Sequence, residues 1–164
     1  MLGEGNEQAA KDALAAFSGG MQMGGGINME NAETWLELGA SHVIVTSWLF
    51  DSKGRFLWDR LKSLASSIGK DRLVIDLSCK NTGSGWTVAM NRWQNLTDLN
   101  ISYATLERLQ MYCDEFLIHA ADVEGLCAGV DEDLVSYLGK WSGLPMTYAG
   151  GVGSMEDVLS LIHI

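Results

Sequence analysis

Proline is nearly absent, with one in 164 residues, and no segment is dominated by the 19 glycines. With 47% hydrophobic and 20% charged residues, this excludes a disordered or collagen-like chain and leaves one globular domain. Cysteine is also sparse: Cys79, Cys113 and Cys127 form no Cys-x-x-Cys pair and are odd in number, so neither a disulfide framework nor a zinc site is expected. A reducing compartment is. Basic residues are few, 11 Lys+Arg against 21 Asp+Glu, and the resulting charge of −10 repels a polyphosphate backbone or an anionic membrane. Nucleic acid and membrane are therefore set aside as partners. Long apolar runs are missing too; His42 to Val45 and Phe116 to Ala121 are strand-sized, far short of the roughly 18 to 20 residues of a membrane span. Met1 to Ala10 hold two Glu and no Lys or Arg, unlike a secretory signal or transit peptide, so a cytoplasmic location is expected, or a plastid one where a transit peptide precedes the chain.

What is present is a strand followed by a helix, several times over. Met21 to Met23 leads into Gly24-Gly25-Gly26, after which Asn28 can cap a helix carrying Ala32, Trp35 and Leu36 that ends at Gly39. His42-Val43-Ile44-Val45 reads as a strand buried on both faces, ending in Thr46-Ser47, before a helix with Leu57, Leu61, Leu64 and Ile68 on one side. Leu73 to Leu77, Phe116 to His119 and Met146 to Tyr148 are the remaining strands. A helix capped by Ser102 precedes the fourth of these five strands, and one holding Leu134, Val135 and Leu138 precedes the fifth. Their spacing is close to the roughly 30 residues of a βαβ unit, except for a longer interval after Asp76 that holds Gly83-Ser84-Gly85 and Trp86 to Met90, read as an inserted hairpin.

Such a series fits either an open doubly wound sheet or a closed barrel. The strand ends decide. Unusual residues follow every strand: Gly24 to Gly26, Thr46-Ser47, Asp76, His119 to Gly125, and Gly150-Gly151. A parallel barrel gathers all its C-terminal strand ends on one face, whereas an open sheet concentrates ligand groups at a single switch point. An α/β fold is expected, a partial (βα)8 TIM barrel, because 164 residues fall short of the typical 250 or so.

Glycines between a strand and a helix N-terminus let main-chain N–H groups approach an anion. Gly25 and Gly26 with Thr46 and Ser47 are candidates for one phosphate grip, Gly150 and Gly151 for part of a second; for either pair alone, a tight turn is the competing reading. Asp76 ends an apolar strand, where desolvation raises a carboxyl pKa and suits it to donate a proton; a structural Asp bonded to loop N–H groups is the alternative. His119, Asp122 and Glu124 supply further proton-handling groups. There is no Gly-x-Gly-x-x-Gly after a strand, no Gly-x-Ser-x-Gly and no metal-ligand spacing, which leaves acid–base chemistry without a metal.

Six strings in order, Gly24-Gly25-Gly26-Ile27-Asn28, His42 to Ser47, Val74-Ile75-Asp76-Leu77-Ser78-Cys79, Arg92-Trp93-Gln94, His119 to Gly125 and Tyr148-Ala149-Gly150-Gly151-Val152, resemble the eukaryotic ProFAR isomerases of histidine biosynthesis. The likeness runs from about Asn6 to Val158. It implies strands three to seven of a barrel, a substrate with a phosphate at each end, and an Amadori rearrangement of an aminoaldose to an aminoketose with no cofactor. It also implies a monomer at full length. By position, Asp76 falls on the family's proton donor, Gly25, Gly26, Thr46 and Ser47 in one phosphate site, Gly150 and Gly151 in the other, and Trp93 on a loop tryptophan that covers the substrate. Bacterial members carry Thr at the place of His119 and Asp-Gly at Glu124-Gly125, so the roles of His119, Asp122 and Glu124 stay open. The family's accepting aspartate lies on its first strand, and its second phosphate site is completed after the eighth.

The chain opens in a helix from Asn6 to Phe17 and stops just after a helix start at Ser154, and Ser160 to Ile164 does not resemble the family. The expectation is one incomplete barrel domain over 1–164, inactive alone, with open strand edges prone to pairing. Two other readings remain: a related barrel enzyme such as the pathway's cyclase, and a non-catalytic phosphosugar-binding protein.

Overall fold

The structure, a computed structural model, describes residues 5–160 apart from 92 and 128. Arg92 and residues 161–164 of the tail lie outside the described residues.

In chain order the elements are α1 (Glu7–Ala16), β1 (Gln22–Gly24), α2 (Ala32–Glu37), β2 (His42–Val45), α3 (Trp58–Ile68), β3 (Leu73–Asp76), β4 (Cys79–Asn81), β5 (Trp86–Met90), β6 (Asn95–Asn100), α4 (Tyr103–Leu109), β7 (Glu115–His119), α5 (Glu132–Leu138), β8 (Met146–Ala149) and α6 (Met155–Ser160). Five strands form one parallel sheet in the order β1-β2-β3-β7-β8. That order follows the chain without reversal. A doubly wound sheet reverses at its switch point, so the order favours the barrel over that alternative.

The sheet is curled. Gln22 Nε2 donates to Glu115 Oε2 at 2.6 Å, although β1 and β7 are three strand spacings apart, roughly 14 Å in a flat sheet. Only a strongly bent sheet brings those side chains together on its concave side. The convex face carries Met23, Val43, Val45, Leu73, Ile75, Phe116 and Ile118, all buried in the main core. Leu61 and Leu64 of α3, Leu106 and Leu109 of α4, and Leu134 of α5 belong to the same core. The molecule is thus an α/β fold with a parallel half-barrel sheet whose apolar side faces its helices. The starts of α4 and α5 are fixed by side chains: Ser102 Oγ accepts from the Thr105 N–H, and Asp131 Oδ1 from the Leu134 N–H.

Two details differ from the sequence reading. Asn28 is not a helix cap; Asn31 precedes α2, and Asn28 Oδ1 instead accepts from the Glu30 N–H while Asn31 Nδ2 donates to the Gly26 carbonyl. The chain needs this extra turn to reverse after its glycines. The inserted hairpin is a three-stranded antiparallel meander, β4-β5-β6. Its last strand, Asn-Leu-Thr-Asp-Leu-Asn, is poor in β-formers and is held by partners instead: the Asp98 carboxylate accepts from the Phe56 N–H, and the Asp98 N–H donates to the Gly54 carbonyl. On its other side Trp86 Nε1 donates to Asp131 Oδ2 at 2.9 Å, tying the meander to α5.

Candidate active site

Because the five strands are parallel and in register, with Gly24 beside Ile44, Val45 beside Ile75, Asp76 beside Leu117 and His119 beside Ala149, their C-terminal ends share one rim. A cleft of about 620 Å³ opens there, within the usual range for a small-molecule site. It is lined by Gly25, Gly26, Thr46, Ser47, Asp76, Trp93 and His119, which the sequence singled out, and by Ser78 and Asn91, which it did not. The meander supplies the far wall through Ala89 to Asn91 and Trp93.

Asp76 ends β3 largely withdrawn from water, and burial pushes its carboxyl above the ordinary carboxylate range. Four groups pull the other way: the Ser78 hydroxyl on Oδ1 and the Thr46 hydroxyl on Oδ2, each at 3.0 Å, the nearby His119 imidazole and the Ser78 main-chain N–H. Thr46 therefore supports the carboxylate through its side chain, a role that the sequence did not give it. Gly25 and Gly26 both have positive φ, 93° and 72°, and a side chain at Gly26 would meet nothing within 4 Å.

His119 packs edge-on against Trp93, ring centroids 5.0 Å apart at 73°. Its Nε2 is buried and lies 3.0 Å from Glu124 Oε2. The separation is that of an ion pair, but the N–H direction misses the oxygen, so no hydrogen bond forms between them. Trp93 sits at φ 64° and Asn91 at φ 55°. Asn tolerates that region, but for a bulky Trp it costs about 1–3 kcal/mol, strain of the kind that collects at ligand sites.

Asp122 does not line the cleft; it is exposed, and its Oδ2 accepts from the Asn81 N–H at 2.7 Å, bracing β4. Glu124 reaches the site only through His119. Gly150 and Gly151 follow β8 on the same rim but outside the cleft lining. A side chain on Gly150 would come within 2.8 Å of the Ala120 carbonyl oxygen, and one on Gly151 would run into the Gly129 carbonyl. Beyond them, the Gly153 and Ser154 N–H groups both donate to the Asp157 carboxylate, which caps α6. His42 lies at the opposite end of the sheet, 3.4 Å from Asp114. Among the described residues no three His, Cys, Asp or Glu converge as a metal site would, and no helix is long and apolar enough to cross a membrane.

A profile of the histidine biosynthesis protein family matches residues 3–163. The chain belongs to that family. It is 52% identical over 165 residues to the 1-(5-phosphoribosyl)-5-((5-phosphoribosylamino)methylideneamino)imidazole-4-carboxamide isomerase of Yarrowia lipolytica, covering 96% of this chain and 62% of that protein. It is likewise 52% identical over 162 residues to the isomerase of the same name from Saccharomyces cerevisiae, with the same two coverages. A chloroplastic isomerase of that name from Medicago truncatula is 46% identical over 153 residues, 93% of this chain and 49% of that protein. The chain thus spans about three-fifths of the length of the fungal relatives.

Proposed function

We propose that this chain forms strands three to seven of a ProFAR isomerase barrel and carries its proton donor, Asp76. The observation that supports the reading most is the buried Asp76 carboxyl, on the floor of a cleft whose edge is formed by the open glycine turn at Gly25 and Gly26. Desolvation raises the affinity of this carboxyl for its proton, the direction that suits a general acid.

The reaction this suits is the Amadori rearrangement of a bisphosphorylated ribotide. Protonated Asp76 delivers its proton to the ribose ring oxygen, the C1–O bond breaks and the amino nitrogen's electron pair forms the Schiff base. Loss of the C2 proton to a base gives the enolamine, which returns as the ketose; the family's accepting carboxylate belongs to a strand before β1. Gly25, Gly26 and Ser47 hold one phosphate by main-chain and hydroxyl donors, and Gly150 and Gly151 belong to the second grip. Trp93 covers the substrate from the meander, and His119, with Glu124 behind it, lies beside Asp76 on the neighbouring strand to steady developing charge.

The test is turnover. A chain of the relatives' full length, given the aminoaldose ribotide, is expected to yield the aminoketose by chromatography; binding without conversion would favour a phosphosugar-binding protein. Conversion only of the ketose with ammonia would favour the cyclase.

A further inference from the structure

The chain runs from β3 into β4 through two residues, Leu77 and Ser78, and both are buried. Ser78 serves two structures from this position. Its carbonyl accepts from the Ala89 N–H at 2.8 Å, joining the meander, and its hydroxyl donates to Asp76 Oδ1. Thr46, at the end of the neighbouring strand, donates to the other carboxyl oxygen. A single hydroxyl would leave the carboxyl free to rotate about its last side-chain bond; one hydroxyl on each oxygen fixes its plane.

We propose that Ser78 is a positioning residue which, with Thr46, clamps the Asp76 carboxyl in one orientation and sets the pH at which it releases its proton. The proposal rests on the isomerase reading for its kinetic consequence but not for its titration. Hydroxyls that donate to a carboxyl favour its ionised form. They oppose burial, so the donor is kept from becoming too weak an acid to deliver its proton. The His119 imidazole from β7 and the Ser78 main chain also favour the ionised carboxyl and stay in place when the Ser78 side chain changes; Glu124 pairs with that imidazole, and the buried Cys79 thiol nearby is itself pushed up to about 12 by burial and by Asp131, Asp122 and Asp76. No charged side chain of β2 lines the cleft.

Two readouts on four variants test this. The Asp76 carboxyl is followed by carbon-13 NMR titration in the ligand-free protein, and kcat against pH is measured in a chain of the relatives' full length. In Ser78→Ala the titration midpoint and the basic limb of kcat move to higher pH, and kcat at neutral pH falls on the order of tenfold, the worth of a hydrogen bond to a charged group. KM for the ribotide stays within twofold. Thr46→Val moves the midpoint in the same direction, while Ser78→Thr and Thr46→Ser, which keep a hydroxyl, return it toward the parent. An unmoved midpoint in both Ser78→Ala and Thr46→Val overturns the clamp, whatever the activity. A parent chain that titrates as expected but has no isomerase activity overturns the isomerase reading and leaves the clamp standing.

Discussion

Two glycine pairs follow strands on the same rim, and they differ in what surrounds them. Beside Gly26 there is open space, and only its φ of 72° calls for glycine. At Gly150 and Gly151 the carbonyls of Ala120 and Gly129 stand where a side chain would go. The first pair borders the cleft, and the second is hemmed in by its own chain, with the next amides already bound to Asp157. Identical dipeptides thus carry ligand information to different degrees: backbone packing accounts for the second pair by itself, whereas it does not account for the first.

The largest effect is expected between the two pairs. In a chain of the relatives' full length, Asp76→Asn lowers kcat on the order of a hundredfold or more, as loss of a general acid does. Steady-state kinetics check this, and an unchanged kcat would remove Asp76 from the chemistry. Gly151→Ala comes next. Its methyl group has to displace the Gly129 carbonyl, at a cost of about 3 kcal/mol, which lowers the thermal midpoint by roughly 8 °C. Gly26→Ala is strained only through its backbone, by about 1 kcal/mol, but weakens binding of a phosphate-bearing ligand several-fold by calorimetry. Equal losses of thermal stability in the two glycine variants would erase the contrast.

The smallest effects concern pH, and they have opposite signs at two aspartates. Burial raises Asp76 above its ordinary value of 3.8, so the folded state binds its proton more tightly than the unfolded chain does. Stability is therefore lost as pH rises from about 3.8 through the raised value. Asp76→Asn should be more stable than the parent in urea at pH 7, with the gap closing toward pH 3. On the surface, Arg55 backbone and side-chain hydrogen bonds hold Asp51 down to about 2. Its contribution is present above 3.8 and lost as pH falls through about 2. Asp51→Asn should therefore lower the thermal midpoint at pH 7 and match the parent near pH 2.

The parallel sheet was legible because its strands are short β-branched runs with polar ends, and β1, β2, β3, β7 and β8 begin within one residue of where the sequence puts them. The rim was legible for the same reason: parallel strands fix which end carries the loops. Asp76, His119 and the first glycine pair were found as singular residues at strand ends, and Trp93 only through the family resemblance; all of them share a cleft. What escaped was side-chain partnership. Nothing in the order of residues says that Thr46 would turn to a carboxylate 30 positions away, or that Asp122 would brace Asn81 rather than face the cleft. The β6 strand escaped because tertiary hydrogen bonds to Phe56 and Gly54 hold a segment that local propensity would leave as a loop.

The two-residue joint between β3 and β4 has a mechanical result. Since Ser78 grips Ala89 with its carbonyl and Asp76 with its hydroxyl, the antiparallel meander and the acid are anchored to the same residue. On the proposed reading, a ligand held against Trp93 meets a wall and a floor that are braced by one shared residue, so strain applied at either is felt at both.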